Sequence, residues 1–414
     1  MSAHLLSWRT GAIACVVLSA FSSAHGAEFR LIPSLTLGEE YNDNLFQTSA
    51  RQKTDFVTRV QPNLAFAAKG GGFSTDLSYG IDYRYFAKGS RGDGFDHNAA
   101  MKGALTFFED FIHLDLADTY SRVSSNVARD VTGESLVVDQ TLQNNALIAP
   151  YLTWHLSANS TLKTGYRYRD TRYWSGTGID KTEHDGYAEW SRELSEGLVL
   201  SATYNYARVA SATDALERHE AYGGLRYDYG TGNFLYGKAG YNWQSFDSGT
   251  STGDPFWDAG LGRDFRLLTV ALGTKVQYNE DPETLSTRNI EHYATISRTF
   301  ERGMAALNTS YSRYEKQGTV VRDVQKKVFV GASGRYELLS QLMLNLALSG
   351  DHLSRAAGTD FAYHLNGGVG LDYALSRQVV VGTNYSYISY RNDLASAAGG
   401  ANVNRVIVEM RLTR

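Results

Sequence analysis

FSTDLSYGIDYRYF, residues 73–86, alternates almost without a slip. Phe73, Thr75, Leu77, Tyr79, Ile81, Tyr83 and Tyr85 fall on one side, with Ser74, Asp76, Ser78, Gly80, Asp82 and Arg84 on the other. A period of two describes a β-strand with one greasy face and one wet face. The apolar face meets either the core of a soluble sandwich or lipid, and the rest of the chain decides between them.

The same rhythm returns along the whole sequence. Outward sets include Leu31, Leu35 and Leu37; Phe56, Val60, Leu64 and Phe66; Leu198, Leu200, Tyr204 and Tyr206; and Val406, Val408, Met410 and Leu412. About twenty such segments, at roughly 19 residues per strand and connection, suit tilted membrane strands of about 9–11 residues. Short connections, such as KGGG (69–72), FED (108–110) and FERG (300–303), alternate with longer polar stretches at 42–53, 86–94, 124–140, 173–183, 245–254 and 391–401. A barrel with tight periplasmic turns and longer external loops accounts for that alternation; a soluble sandwich does not.

Aromatic placement is a separate test. Tyr83, Tyr85, Tyr166, Tyr168, Tyr204, Tyr206, Tyr311, Tyr385 and Tyr387 lie where strands approach long loops. Phe66, Phe107, Trp154, Trp190, Tyr227, Tyr229 and Tyr373 lie near short turns. Amphipathic rings at both strand ends are what two membrane–water interfaces favour. Composition agrees: 27 tyrosines and 40 glycines stand against only five prolines, a balance that suits one large sheet. The expected fold is an all-β transmembrane antiparallel up-and-down barrel of about 20 strands (18–20).

The first residues read as a targeting segment. Arg9 precedes GAIACVVLSAF (11–21), the only sustained apolar run, and Ala24 and Gly26 mark a small-residue exit. That pattern predicts a cleaved signal peptide over 1–26, with the barrel over 27–414. The lone cysteine, Cys15, falls inside the leader, so neither disulfides nor thiol chemistry serve the mature protein. The expected location is the outer membrane of a Gram-negative cell. The net charge of −4 gives no basic excess for nucleic acid.

Some residues resist the pattern. Pro62 and Pro150 fall inside predicted strands, where bulges or strand ends would accommodate them. His292 falls outward near the middle of its strand, which puts the register of 288–299 in question.

The start LIPSLTLGEEYNDNLF (31–46), the segment NNALIAPYLTWHLSANSTLKTGYRYRDTRY (144–173) and the strand rhythm resemble the β-barrel porin 2 family. Within it, the chain is similar to outer-membrane proteins of exopolysaccharide loci, including those associated with the PEP-CTERM sorting system. The resemblance implies a polysaccharide-related outer-membrane pore, with periplasmic and inner-membrane synthesis and export proteins as partners.

Strand parity places Asp76, Asp82, Arg84, Arg167, Arg169, Tyr187, Glu189, Tyr222, Arg226, Asp228, Glu291, Tyr293 and Asp372 on the lumen side. Both charge signs are interspersed, which makes a hydrated wall and not a single-sign ring. Inward tyrosines offer an apolar face with a polar tip, suited to sugar rings. The plainer reading gives these residues structural ion pairs across the wall. EEYNDN (39–44) bunches oxygen ligands but lacks the spacing of a calcium loop, so it reads first as a solvated loop. No HExxH pair or nucleophile motif marks an enzyme, and no metal or cofactor is expected. Three functions stay open: a conduit for exopolysaccharide, a general diffusion porin for small solutes, and a surface-polymer anchor or outer-membrane enzyme.

Overall fold

The computed structural model describes residues 27–128, 140–174, 178–318, 323–354, 361–394 and 400–414. The expected signal peptide, 1–26, lies outside the described residues. Twenty strands follow one another. The first five are β1 (Glu28–Asn42), β2 (Asp55–Gly70), β3 (Phe73–Phe86), β4 (Gly94–Phe107) and β5 (Ile112–Ser124). Next come β6 (Gln140–Ser157), β7 (Ser160–Tyr173), β8 (Lys181–Ser195), β9 (Leu198–Ala210) and β10 (Ala215–Asp228). Then follow β11 (Phe234–Phe246), β12 (Ser251–Asp264), β13 (Thr269–Asp281), β14 (Thr284–Phe300) and β15 (Gly303–Lys316). The last are β16 (Val324–Leu339), β17 (Leu342–Ser354), β18 (Tyr363–Ala374), β19 (Val379–Arg391) and β20 (Ala401–Thr413).

Each strand pairs antiparallel with the next, and β1 pairs with β20 from Ser34↔Thr413 to Asn42↔Arg405. That last ladder closes the sheet and removes both edges, the condition a sheet needs to sit in lipid. Large apolar residues cover the outside: Leu31, Leu77, Leu235, Leu272, Val330, Leu348 and Val408 are all exposed. Among the described residues no helix is long and apolar enough to cross a membrane.

Strands run to 12–18 residues, longer than the span of lipid requires. The excess stands above the outer interface, where polar residues continue the ladder. This shortens the outer connection expected at 245–254. β11 runs to Phe246 and β12 starts at Ser251, leaving four residues between them. The β9–β10 and β13–β14 connections are equally brief or briefer. At the opposite end, Phe108, Glu109 and Asp110 form the β4–β5 turn with positive φ values of 51°, 55° and 74°.

Neither proline makes a bulge. Val60 pairs with Tyr83 and Asn63 with Gly80, so Gln61 and Pro62 lack β3 partners while the register continues unshifted. Pro62 still sits opposite Leu35 of β1. Pro150 behaves identically, opposite Leu114 on one side and without a β7 partner on the other. A closed barrel absorbs one missing donor per proline because neighbouring rungs hold the register. The register of β14 is also regular through His292, which sits opposite Thr274 and Tyr311.

One seam departs from the pattern. β12 pairs with β13 only from Asp258↔Lys275 to Asp264↔Thr269. The outer half of β12, Ser251–Trp257 with Pro255 inside it, has β11 alone as neighbour. Above Lys275, β13 pairs only with β14, and that ladder shifts between Asn279 and Asp281. The β13–β14 hairpin is thereby released from the wall on its β12 side.

Candidate functional site

The candidate site is the lumen and its outer mouth. On the β2–β5 wall, Asp82 receives Arg59 at 2.8 Å and Arg84 at 2.6 Å, and Arg122 pairs with Asp96. Further along the wall, on β7, β8 and β10, Arg167 meets Asp185 at 2.8 Å, and Glu183 bridges Arg169 and Arg218, each at 2.8 Å. Arg226 holds Asp228 at 2.8 Å near the inner end, Lys275 lies 3.2 Å from Glu291, and Asp372 takes Arg411 and Asn345. Asp76 sits opposite Lys102, and Glu189 opposite Lys163. Most inward charges are thus engaged with an opposite charge. Such a wall is polar and hydrated, with local fields and little net bias.

The inward aromatic residues have a geometry that parity alone did not show. Tyr187 stands directly opposite Gly165, Tyr236 opposite Gly260, Phe234 opposite Gly262 and Tyr293 opposite Gly273. A methyl group placed on Gly165 would meet the Tyr187 hydroxyl at 2.7 Å, and one on Gly260 would meet the Tyr236 ring at 2.9 Å. Gly262 and Gly273 are similarly overlain by Phe234 and Tyr293. Each ring therefore leans along the wall into the space that glycine leaves, an arrangement that fixes ring orientation.

The four span β8 to β14. Tyr222 stacks on Phe256 at 4.9 Å, and the Tyr236 hydroxyl donates to Asp258 at 3.0 Å. Cations flank several rings: Arg167 lies 3.8 Å from the Tyr187 centroid, Arg226 5.1 Å from Phe234 and Lys275 5.9 Å from Tyr293. The β2–β4 lumen wall carries charges in place of such rings.

At the mouth, the released β13–β14 hairpin folds over the lumen. Ile179 N–H donates to Pro282 O at 2.7 Å, and Lys181 Nζ donates to Asp281 O at 2.5 Å. Leu285 packs against the buried trio Val209, Leu216 and Phe246 of β9, β10 and β11. Asn126 and Val127, after β5, line a small cavity together with Asp281, Glu283 and Lys316. Contacts between strands five and eight places apart in the wall put the hairpin tip across the opening. At its base, Arg288 reaches Glu315 at 3.2 Å and Asp254 at 3.3 Å, and donates to Pro255 O at 3.4 Å. The sequence reading missed these residues; the proline in β12 and the unusual polarity of the hairpin were the available signals.

EEYNDN is buried at every second residue, Glu40, Asn42 and Asn44, while Glu39 stays exposed. Glu40 and Asn44 are 1 % and 0 % exposed. Asn44 donates to Thr48 O at 2.8 Å and Asn402 O at 2.9 Å, while Asp43 accepts Asn404 N–H and its side-chain amide, both at 2.7 Å. Leu45 and Phe46 then pack with Val57 and Phe86. The motif clasps the β1–β20 seam at its outer end. Among the described residues no group of three His, Cys, Asp or Glu side chains is placed to hold a metal ion.

No family model matches the chain, and no curated protein matches it. Solved structures do. The FrpB iron transporter of Neisseria meningitidis (F3-3 variant) aligns with a TM-score of 0.54 at 10 % identity, over 92 % of this chain and 81 % of that one. A mutant of the ferric enterobactin receptor of Pseudomonas aeruginosa aligns with a TM-score of 0.50 at 10 % identity, over 95 % and 81 %. An anion-selective porin from Comamonas acidovorans aligns with a TM-score of 0.40 at 12 % identity, over 94 % and 100 %. At these identities the likeness is one of fold. The fold is that of an outer-membrane β-barrel.

Proposed function

We propose that the protein is a non-enzymatic outer-membrane pore through which an exopolysaccharide is exported. The observation that carries this reading is the line of inward rings seated over glycines, Tyr187, Phe234, Tyr236 and Tyr293, on one side of the lumen. A ring held against the wall presents carbon–hydrogen and hydroxyl groups to a passing sugar without a deep pocket to trap it. The paired charges beside the rings supply exchangeable hydrogen bonds along a wet path. A barrel of twenty strands exceeds the size at which porins already leave an aqueous channel. The resemblance to exopolysaccharide-locus proteins and the β-barrel porin 2 family points the same way. Periplasmic and inner-membrane synthesis and export proteins are the partners this function calls for. The folded β13–β14 hairpin then serves as the resting closure of the mouth.

The test is polymer export in the producing cell. Cells lacking the gene should retain polymer in the periplasm, the intact gene should restore export, and Tyr236→Ala with Tyr293→Ala should restore it only in part. Unchanged surface polymer in the deletion strain refutes the proposal.

A further inference from the structure

Five outward-facing histidines each meet a tyrosine, four of them toward the outer strand ends and His292 at the middle of β14. Tyr79, Tyr166 and Tyr204 place their hydroxyls 2.7, 2.5 and 2.9 Å from Nδ1 of His97, His184 and His219. These histidines are the fourth residue of β4, the fourth of β8 and the fifth of β10, so the arrangement repeats at nearly one level in three hairpins. His292 stacks with Tyr311 at 6.1 Å, and His352 meets Tyr363 at 4.5 Å. The ring of pairs sits among the aromatic residues of the outer interface, where lipid headgroups lie. A neutral imidazole carries one N–H, so each of these rings has a hydrogen-bond donor to offer.

At one of these pairs the wall is also hollowed. An outward groove of about 610 Å³ runs between β11 and β16 beside the β12–β13 seam. Ala259, Leu261, Leu272 and Ala294 line its lower part, and His292 and Tyr311 its upper part. No carboxylate lines it. Lys326 precedes Val328 by two residues on the same face of β16 and is exposed. Arg313, two residues beyond Tyr311 on β15, pairs with Glu315 at 2.5 Å. That leaves Lys326 as the cation above the groove that no carboxylate on its own strand face offsets. An apolar trough in the bilayer, topped by a hydrogen-bond donor and a lysine, matches an acyl chain joined to a phosphate.

We propose that this groove is a binding site for a phosphorylated, multiply acylated glycolipid of the outer leaflet. One acyl chain lies against Ala259 and Ala294, and a phosphate oxygen accepts a ring N–H of His292. The other Tyr–His pairs give the same lipid weaker, headgroup-level contacts around the barrel. This site is independent of what passes through the lumen.

The test is native mass spectrometry of the purified full barrel with diphosphorylated lipid A, its dephosphorylated form and phosphatidylglycerol. Folding of every variant is checked by heat-modifiable gel mobility. The diphosphorylated lipid should be retained best. Dephosphorylation or His292→Phe should each weaken retention about tenfold, the loss expected for one hydrogen bond to a charged group. Ala294→Trp, which fills the trough, should weaken retention of both glycolipids. Equal retention of the two glycolipids by the unmodified protein overturns the proposal without reference to any variant. Preferential retention of phosphatidylglycerol, or wild-type retention in a folded His292→Phe protein, overturns it as well.

Discussion

Lys181→Ala combined with Leu285→Ser should lift the β13–β14 hairpin from the mouth. Lys181 donates to Asp281 O at 2.5 Å, and a hydrogen bond from a charged donor contributes about 1.5–3 kcal/mol. Leu285 is only partly buried against Val209, Leu216 and Phe246, so about 1 kcal/mol is reasonable where full burial would give more. Together the changes remove about 3 kcal/mol from the lowered state, a shift of roughly 150-fold in the balance of lowered and raised hairpins. The barrel wall is untouched, because both side chains lie above the apolar belt. The assay is single-channel recording of the refolded protein. The double variant should spend most of its open time at a conductance that the parent visits rarely, with each single variant intermediate. Indistinguishable conductance levels and dwell times, in a variant shown to be folded, would refute the idea that the hairpin obstructs the pore.

Other predictions concern the lumen and the seam. Asp82→Asn leaves the Arg59 and Arg84 guanidiniums without their shared carboxylate and should shift the reversal potential in a salt gradient toward anions; Arg84→Glu should shift it toward cations. Asn44→Ala removes two donated hydrogen bonds at the β1–β20 clasp and should cost about 1–3 kcal/mol, seen as a lower temperature for conversion to the unfolded gel band. Gly273→Val should push the Tyr293 ring off the wall, and Tyr293→Ala removes it. Both should weaken oligosaccharide binding several-fold, as expected for losing about 1 kcal/mol of ring contact.

Alternation alone located the wall. In FSTDLSYGIDYRYF every second residue faces lipid because a strand has a period of two, and closure left no other environment for those faces. The ion pairs were partly legible for the same reason. Asp82 and Arg84, Arg226 and Asp228, and Glu409 and Arg411 stand two apart and so share a face. What faces what across strands depends on register, and register is set by the turns. Tyr293 over Gly273 and His97 beside Tyr79 were therefore hidden in a single chain. The mouth was hidden more deeply. Lys181 and Asp281 are a hundred residues apart, and they meet only because β12 releases β13 above Lys275. EEYNDN misled because a run of acids and amides usually belongs in water; here the amides satisfy the strand ends of the seam instead.

The most direct measurement is single-channel conductance of the purified barrel in a planar bilayer, with and without oligosaccharides prepared from the cell's own exopolysaccharide. A conducting pore blocked reversibly by those oligosaccharides, with weaker block in Tyr236→Ala and Tyr293→Ala, is the predicted result. A folded barrel that conducts small ions but is indifferent to the oligosaccharides, both as parent and with its hairpin lifted, would contradict the account.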